Sequence, residues 1–163
     1  MKRNVTIFML VIAMISGISY AEAKRSYSSG TTTFSASTLI GRSNGCAVLS
    51  SRCQSNLKKA GFSLTYTRTV QLHDVDDDYD DILVNATEKN YSKSGILVRL
   101  YYLPGDEAPC SIEIEFPNQT TKNSFMRSLS RVGFVGSGDS YVAYGSGLFA
   151  DAEGNTVSLA YSL

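Results

Sequence analysis

Cys53-Gln54-Ser55-Asn56-Leu57-Lys58-Lys59-Ala60-Gly61-Phe62 returns 72 positions later as Phe125-Met126-Arg127-Ser128-Leu129-Ser130-Arg131-Val132-Gly133-Phe134. Cys53, Leu57 and Ala60 in the first stretch, and Phe125, Leu129 and Val132 in the second, stand at i, i+4 and i+7. That spacing makes one apolar helix face. Each stretch closes on Gly, which ends a helix in the left-handed conformation, and then on Phe, which anchors the exit. The spacing predicts two related helices, about 46–60 and 120–132. Cys46 and Leu49 extend the first face, and Asn118 or Thr120 caps the second.

Working outward, the segments around the helices read as strands. Leu64, Tyr66, Val70 and Leu72 alternate with Thr65, Thr67, Thr69 and Gln71, a period of two. Arg68 falls in the apolar phase, an exception to the pattern. Stretches 81–87 and 110–116 alternate likewise, while 96–103 is apolar on both faces and belongs in the middle of a sheet. Residues 32–40 form a modest strand, 141–150 and 156–163 a final hairpin, and 136–139 a loop. The expectation is an α+β fold: an antiparallel sheet with two helices packed on one face, from two related β-α-β-β units. Unit one covers about 31–103 and unit two about 109–163, within one domain over 32–163.

The first residues set the compartment. Met1-Lys2-Arg3, the apolar run Val5 to Ile18 and the small-x-small site Ala21-Glu22-Ala23 make residues 1–23 a signal peptide. The run is shorter than the roughly 20 residues a membrane span needs. Residues 24–31 are small and polar and read as a flexible mature N-terminus. The reading is export to the periplasm or the outside of a bacterial cell, with no stable membrane insertion. Without residues 1–23 the chain keeps 13 Lys+Arg against 14 Asp+Glu. A net charge of −1 gives no electrostatic reason to bind nucleic acid.

An oxidising compartment favours a disulfide among Cys46, Cys53 and Cys110. On one helix, Cys46 and Cys53 would stand about 10 Å apart along the axis, beyond disulfide reach. Cys110 therefore pairs with one of them, and its inward phase favours Cys53 over Cys46.

Chemistry-bearing residues are sparse. Asp74, Asp76, Asp77, Asp78, Asp80 and Asp81 make an acidic run. Its alternate carboxylates resemble the start of a calcium loop, but Tyr79 and Asn85 stand where that loop needs Gly and Glu. The run reads as a solvated hairpin loop, with a calcium-stabilised structural module as an alternative. His73 is the single histidine; with Ser140 it defines the other alternative, a small secreted hydrolase. One histidine and no CxxC spacing leave no zinc set, and no metal or cofactor is expected. Gly133, Gly136 and Gly138 follow a helix, whereas a dinucleotide loop opens one.

Ten tyrosines and no tryptophan hint at an interaction surface. Leu97, Arg99, Tyr101 and Leu103 share the second face of the central strand. Either another part of the chain covers that face or it is a binding patch. The leading expectation is an exported, non-catalytic binding module, an inhibitor or envelope-associated protein whose partner is another protein or an envelope component.

Overall fold

The computed structural model describes residues 34–75 and 81–161. The signal peptide expected at 1–23 and the flexible N-terminus expected at 24–31 lie outside the described residues. The order of elements is a 3-10 turn (Ala36–Thr38), β1 (Ile40–Ser43), β2 (Cys46–Leu49), α1 (Cys53–Lys59), β3 (Ser63–Val75), β4 (Asp81–Lys93), β5 (Ile96–Tyr102) and β6 (Ser111–Glu115). There follow α2 (Gln119–Ser128), a 3-10 turn (Leu129–Val132), β7 (Val135–Ser137), β8 (Ser140–Ala143), β9 (Leu148–Glu153) and β10 (Thr156–Tyr161). The fold is α+β. Eight strands form one antiparallel sheet in the order β3-β4-β5-β6-β10-β9-β8-β7, and β1-β2 is a separate hairpin. No helix among the described residues is long and apolar enough to cross a membrane.

The core forms where period-two strands meet period-3.6 helices. Val98 and Leu100 of β5, Ile112 and Ile114 of β6, and Val157 and Leu159 of β10 are each 0–1% exposed. They share one cluster with Cys53 and Leu57 of α1 and with Phe125, Met126 and Leu129 from α2 and its 3-10 extension. Phe34, ahead of the first 3-10 turn, lies 4.9 Å from Phe62 and 5.3 Å from Phe125 by ring centroids. The two helix exits close alike. Gly61 and Gly133 take φ of 85° and 101°. The Phe62 N–H donates to the Leu57 carbonyl (2.9 Å), and the Phe134 N–H to the Leu129 carbonyl (3.2 Å). That is the six-to-one bond of a left-handed helix stop. Asn118 caps α2, accepting from the Thr121 N–H at 2.9 Å, whereas α1 has no side-chain cap.

Several boundaries differ from the sequence expectation, each for a local reason. The first helix begins at Cys53, not Cys46. Asn44-Gly45, with φ of 50° and 81°, instead turns a two-residue hairpin between β1 and β2. Asn-Gly is the strongest short hairpin signal, because both central residues must take positive φ. Of the strand expected at 32–40, residues 34–39 are not strand: the Thr38 N–H donates to the Ser35 carbonyl and the Leu39 N–H to the Ala36 carbonyl, closing a 3-10 turn. The loop expected at 136–139 is the β7–β8 hairpin, and 141–150 divides between β8 and β9 around Gly145 and Gly147.

The cysteines do not pair: Cys46, Cys53 and Cys110 are all free. Cys53 belongs to the main cluster, whereas Cys110 packs with a second cluster of Leu72, Ala86 and Tyr101. The sheet separates the two sulfurs, so the favoured Cys53–Cys110 bridge has no geometry available. Cys46 sits in β2, not on the helix, and its sulfur lies against Gly145.

Candidate functional site

Strand alternation sends every second residue of β3–β6 and β10–β8 away from the main core. On this outer face the register aligns a row: Tyr66, Asn90, Arg99, Glu113, Ser158, Asp151 and Ser140. The next row holds Arg68, Glu88, Tyr101, Ser111 and Ala160.

Two ionic groups organise the face. Glu88 is 1% exposed. Its Oε1 accepts from the Tyr66 hydroxyl at 2.7 Å, and its Oε2 accepts from Arg68 Nε and Nη2, each at 2.8 Å. A buried carboxylate is tolerated only when paired and hydrogen-bonded, and these bonds meet that condition. They also explain why Arg68 stands in the apolar phase of β3: it closes over Glu88. Burial, and then the bond to Glu88, raise the Tyr66 pKa. The second group is Arg99, which bonds Glu113 and, at 3.2 Å, Glu115. Burial opposes the Arg99 charge, but the Glu113 carboxylate and its neighbours outweigh that and raise its pKa. Tyr101 beside it is 4% exposed, and burial raises its pKa. Asn90 Oδ1 is buried with no hydrogen-bond partner.

Of the expected surface residues, Leu97 and Arg99 are half-buried on this face. Tyr101 is buried, and Leu103 packs against the Leu72–Ala86–Tyr101 cluster. Past β6 the face turns acidic: Glu115, Asp151 and Glu153 are exposed and Glu113 is half-buried, around Thr156 and Ser158. Asp151 Oδ1 lies 2.6 Å from Ser140 Oγ. Ser140 and His73 are not brought together. β3 and β8 stand six strands apart in the sheet, roughly 30 Å at the usual strand spacing. Of the acidic run, Asp74 is the second-to-last residue of β3 and Asp81 the first of β4. Asp76, Asp77, Asp78 and Asp80 lie outside the described residues. Among the described residues no group of three or more His, Cys, Asp or Glu could hold a metal ion.

An open cleft of about 550 Å³ lies on the other face, between α1, β4 and the 103–107 turn. Gln54 Oε1 accepts there from Lys89 Nζ (3.1 Å) and the Tyr91 hydroxyl (3.2 Å). Lys89 Nζ stands 5.3 Å from the Tyr102 ring centroid. The Tyr102 hydroxyl is buried without a partner, and burial pushes its pKa up to about 12.

Sequence reading missed Glu88 because the expected strand stopped at 87. The signal was the phase of Arg68: a lone charge among apolar positions asks for a buried partner on the neighbouring strand.

No protein-family model matches this chain, no curated protein matches it, and no solved structure matches it.

Proposed function

We propose that this chain is an exported, non-catalytic binding module that meets a partner protein through the acidic part of its outer sheet face. One observation carries the reading: Glu113 and Glu115 of β6 and Asp151 and Glu153 of β9 flank β10 on its two sides, and Arg99 is bonded to the first two. Arg99 is held between two of the carboxylates, so the remaining negative charge is turned outward. Such a surface steers a partner whose contact face carries Lys and Arg.

The scaffold reading is an internal duplication that lays both helices on the same side of the sheet. Each helix is followed by four antiparallel strands, α1 by β3–β6 and α2 by β7–β10. The sheet order mirrors about the β6–β10 contact. Identical helix exits at a fixed 72-residue offset support the same reading. This layout favours helix-plus-four-strand units over 53–115 and 119–161, with β6 closing the first unit.

The test is retention of an envelope or secreted protein on immobilised wild type against the double substitution Glu115→Lys/Asp151→Lys. Retention by wild type that weakens with salt and disappears in the charge-reversed protein supports the reading. Equal retention by both proteins ends it.

A further inference from the structure

The two edges of the eight-stranded sheet are unequal. β7 is three residues long with Gly136 at its middle, so it offers almost no ladder. β3 at the other edge runs thirteen residues. From Ser63 to His73 it holds Arg68 as its one formal charge, with no Lys and no Pro. Its sole register shift, at Leu64/Tyr66, lies near its start. Edge strands are ordinarily guarded by shortness, charge, Pro or bulges, because unpaired backbone groups recruit another strand. The outer half of β3 has no Lys, no Pro and no bulge, and its one charged residue, Asp74, stands next to its end.

The neighbouring strand adds a second observation. β5 pairs with β4 only over Thr87–Lys93, so the stretch from Asp81 to Ala86 has β3 as its ladder partner. Past the end of the β5 ladder, residues 70–75 and 81–86 therefore have only each other as ladder partners, although Leu72 and Ala86 pack against Tyr101, Leu103 and Cys110 on the outer face. Two strands alone are marginal in water, and a further strand on a shared face stabilises them.

We propose that a second copy of this chain supplies that strand, β3 pairing antiparallel with its own equivalent about a two-fold axis at Gln71. In this register Gln71 stands opposite itself, Val70 opposite residue 72, Thr69 opposite residue 73 and Arg68 opposite residue 74 of the second copy. The sequence is self-complementary there: Val meets Leu, and Arg meets Asp. The Val–Leu pair extends the outer-face cluster of Leu72, Ala86 and Tyr101. A two-fold axis at Arg68 would set two guanidinium groups against each other, and one at Thr69 would set Arg68 against Val70. Such an isologous contact closes at two copies and leaves the acidic patch over β6, β10 and β9 free.

The test uses protein made with its leader and purified from the exported fraction. In sedimentation velocity over a wide concentration range, the wild type passes from single to double mass. Gln71→Lys, which sets two lysines opposite each other at an exposed position, raises the dissociation constant by about fivefold and, at concentrations where both proteins are monomers, leaves the melting midpoint of the fold unchanged. In a Cys46→Ser/Cys110→Ser background, Gln71→Cys cross-links two chains on mild oxidation, because directly opposed strand positions fall within disulfide reach. Thr69→Cys does not cross-link. A wild type that stays monomeric throughout, a dimer indifferent to Gln71→Lys, or cross-linking at Thr69→Cys in place of Gln71→Cys would each overturn the proposal.

Discussion

The two faces of β5 and β6 bury side chains to the same depth by different means. On the core face, Val98, Leu100, Ile112 and Ile114 lie at 0–1% exposure and need no partner. On the outer face, Glu88 of the adjoining β4 lies at 1%, yet only because Tyr66 and Arg68 donate to it. Apolar burial is non-directional and scales with area. Polar burial is directional and fails when one partner goes. The core face should therefore tolerate shape-conserving change, and the outer face should not.

The largest expected effect lies on the core face. Phe125→Ala leaves a void beside Phe34 and Phe116, whose ring centroids stand 5.3 and 5.4 Å away. It should cost about 3–5 kcal/mol, read from urea unfolding. Phe125→Leu should recover most of that loss, and failure to do so would mean the face depends on exact shape after all.

Alkali probes both faces together. Burial pushes the Cys53 thiol from 9.0 to about 12 and raises the Tyr66 and Tyr101 hydroxyls above 10.0. A raised folded-state pKa contributes stability that is complete below the unfolded value and lost as pH climbs through the folded one. The melting midpoint should hold steady up to pH 9 and fall between pH 9 and about 12. Cys53 alone accounts for roughly 2–4 kcal/mol at the upper end, at about 1.4 kcal/mol per unit. A midpoint that rises with alkali would refute the buried, neutral assignment of these groups.

Next comes the outer-face ion pair. Arg68→Ala leaves the Glu88 charge buried with Tyr66 as its remaining donor. Because Arg68 is 60% exposed, the expected loss is about 2 kcal/mol, below the range for a fully buried pair. Adding Glu88→Gln should restore part of it. A double-mutant cycle with coupling near zero would remove the pair from the account of this face.

The smallest effect tests the two helices, whose apolar residues join the main core. Asn118→Ala removes the α2 cap and should cost about 1 kcal/mol. Arg52→Ala, at the uncapped start of α1, should change the melting midpoint little, since no side-chain cap is lost. Equal losses at the two sites would show that capping does not distinguish the helices.

The regular part of this fold was legible in the chain. The Gly-Phe helix exits, the alternation in 64–72 and 110–116 and the apolar run 96–103 each correspond to an observed element. Legibility failed where a short-range signal competed with a longer pattern. Cys46 and Leu49 fit a helix face, but Asn44-Gly45 committed the chain to a hairpin first. Tyr141 to Ala150 has strand composition throughout, yet Gly145 and Gly147 divide it. The candidate site was half legible. Leu97, Arg99, Tyr101 and Leu103 do share the outer face, as alternation implied. Glu88 and the acidic grouping over β6, β10 and β9 depend on which strands are neighbours, and one sequence does not encode that register openly.

β10, which follows β9 in the chain, lies between β6 and β9 at the middle of the sheet, and its Tyr161 hydroxyl accepts from the Leu49 N–H at 3.0 Å. Synthesis therefore delivers this keystone after both of the strands it joins. Until it arrives, the earlier strands have no bridge joining them across the sheet, so nascent chains remain divided and open to chaperones. Stop codons ahead of Thr156 should yield two unjoined half-sheets, not a slightly shorter version of the same molecule.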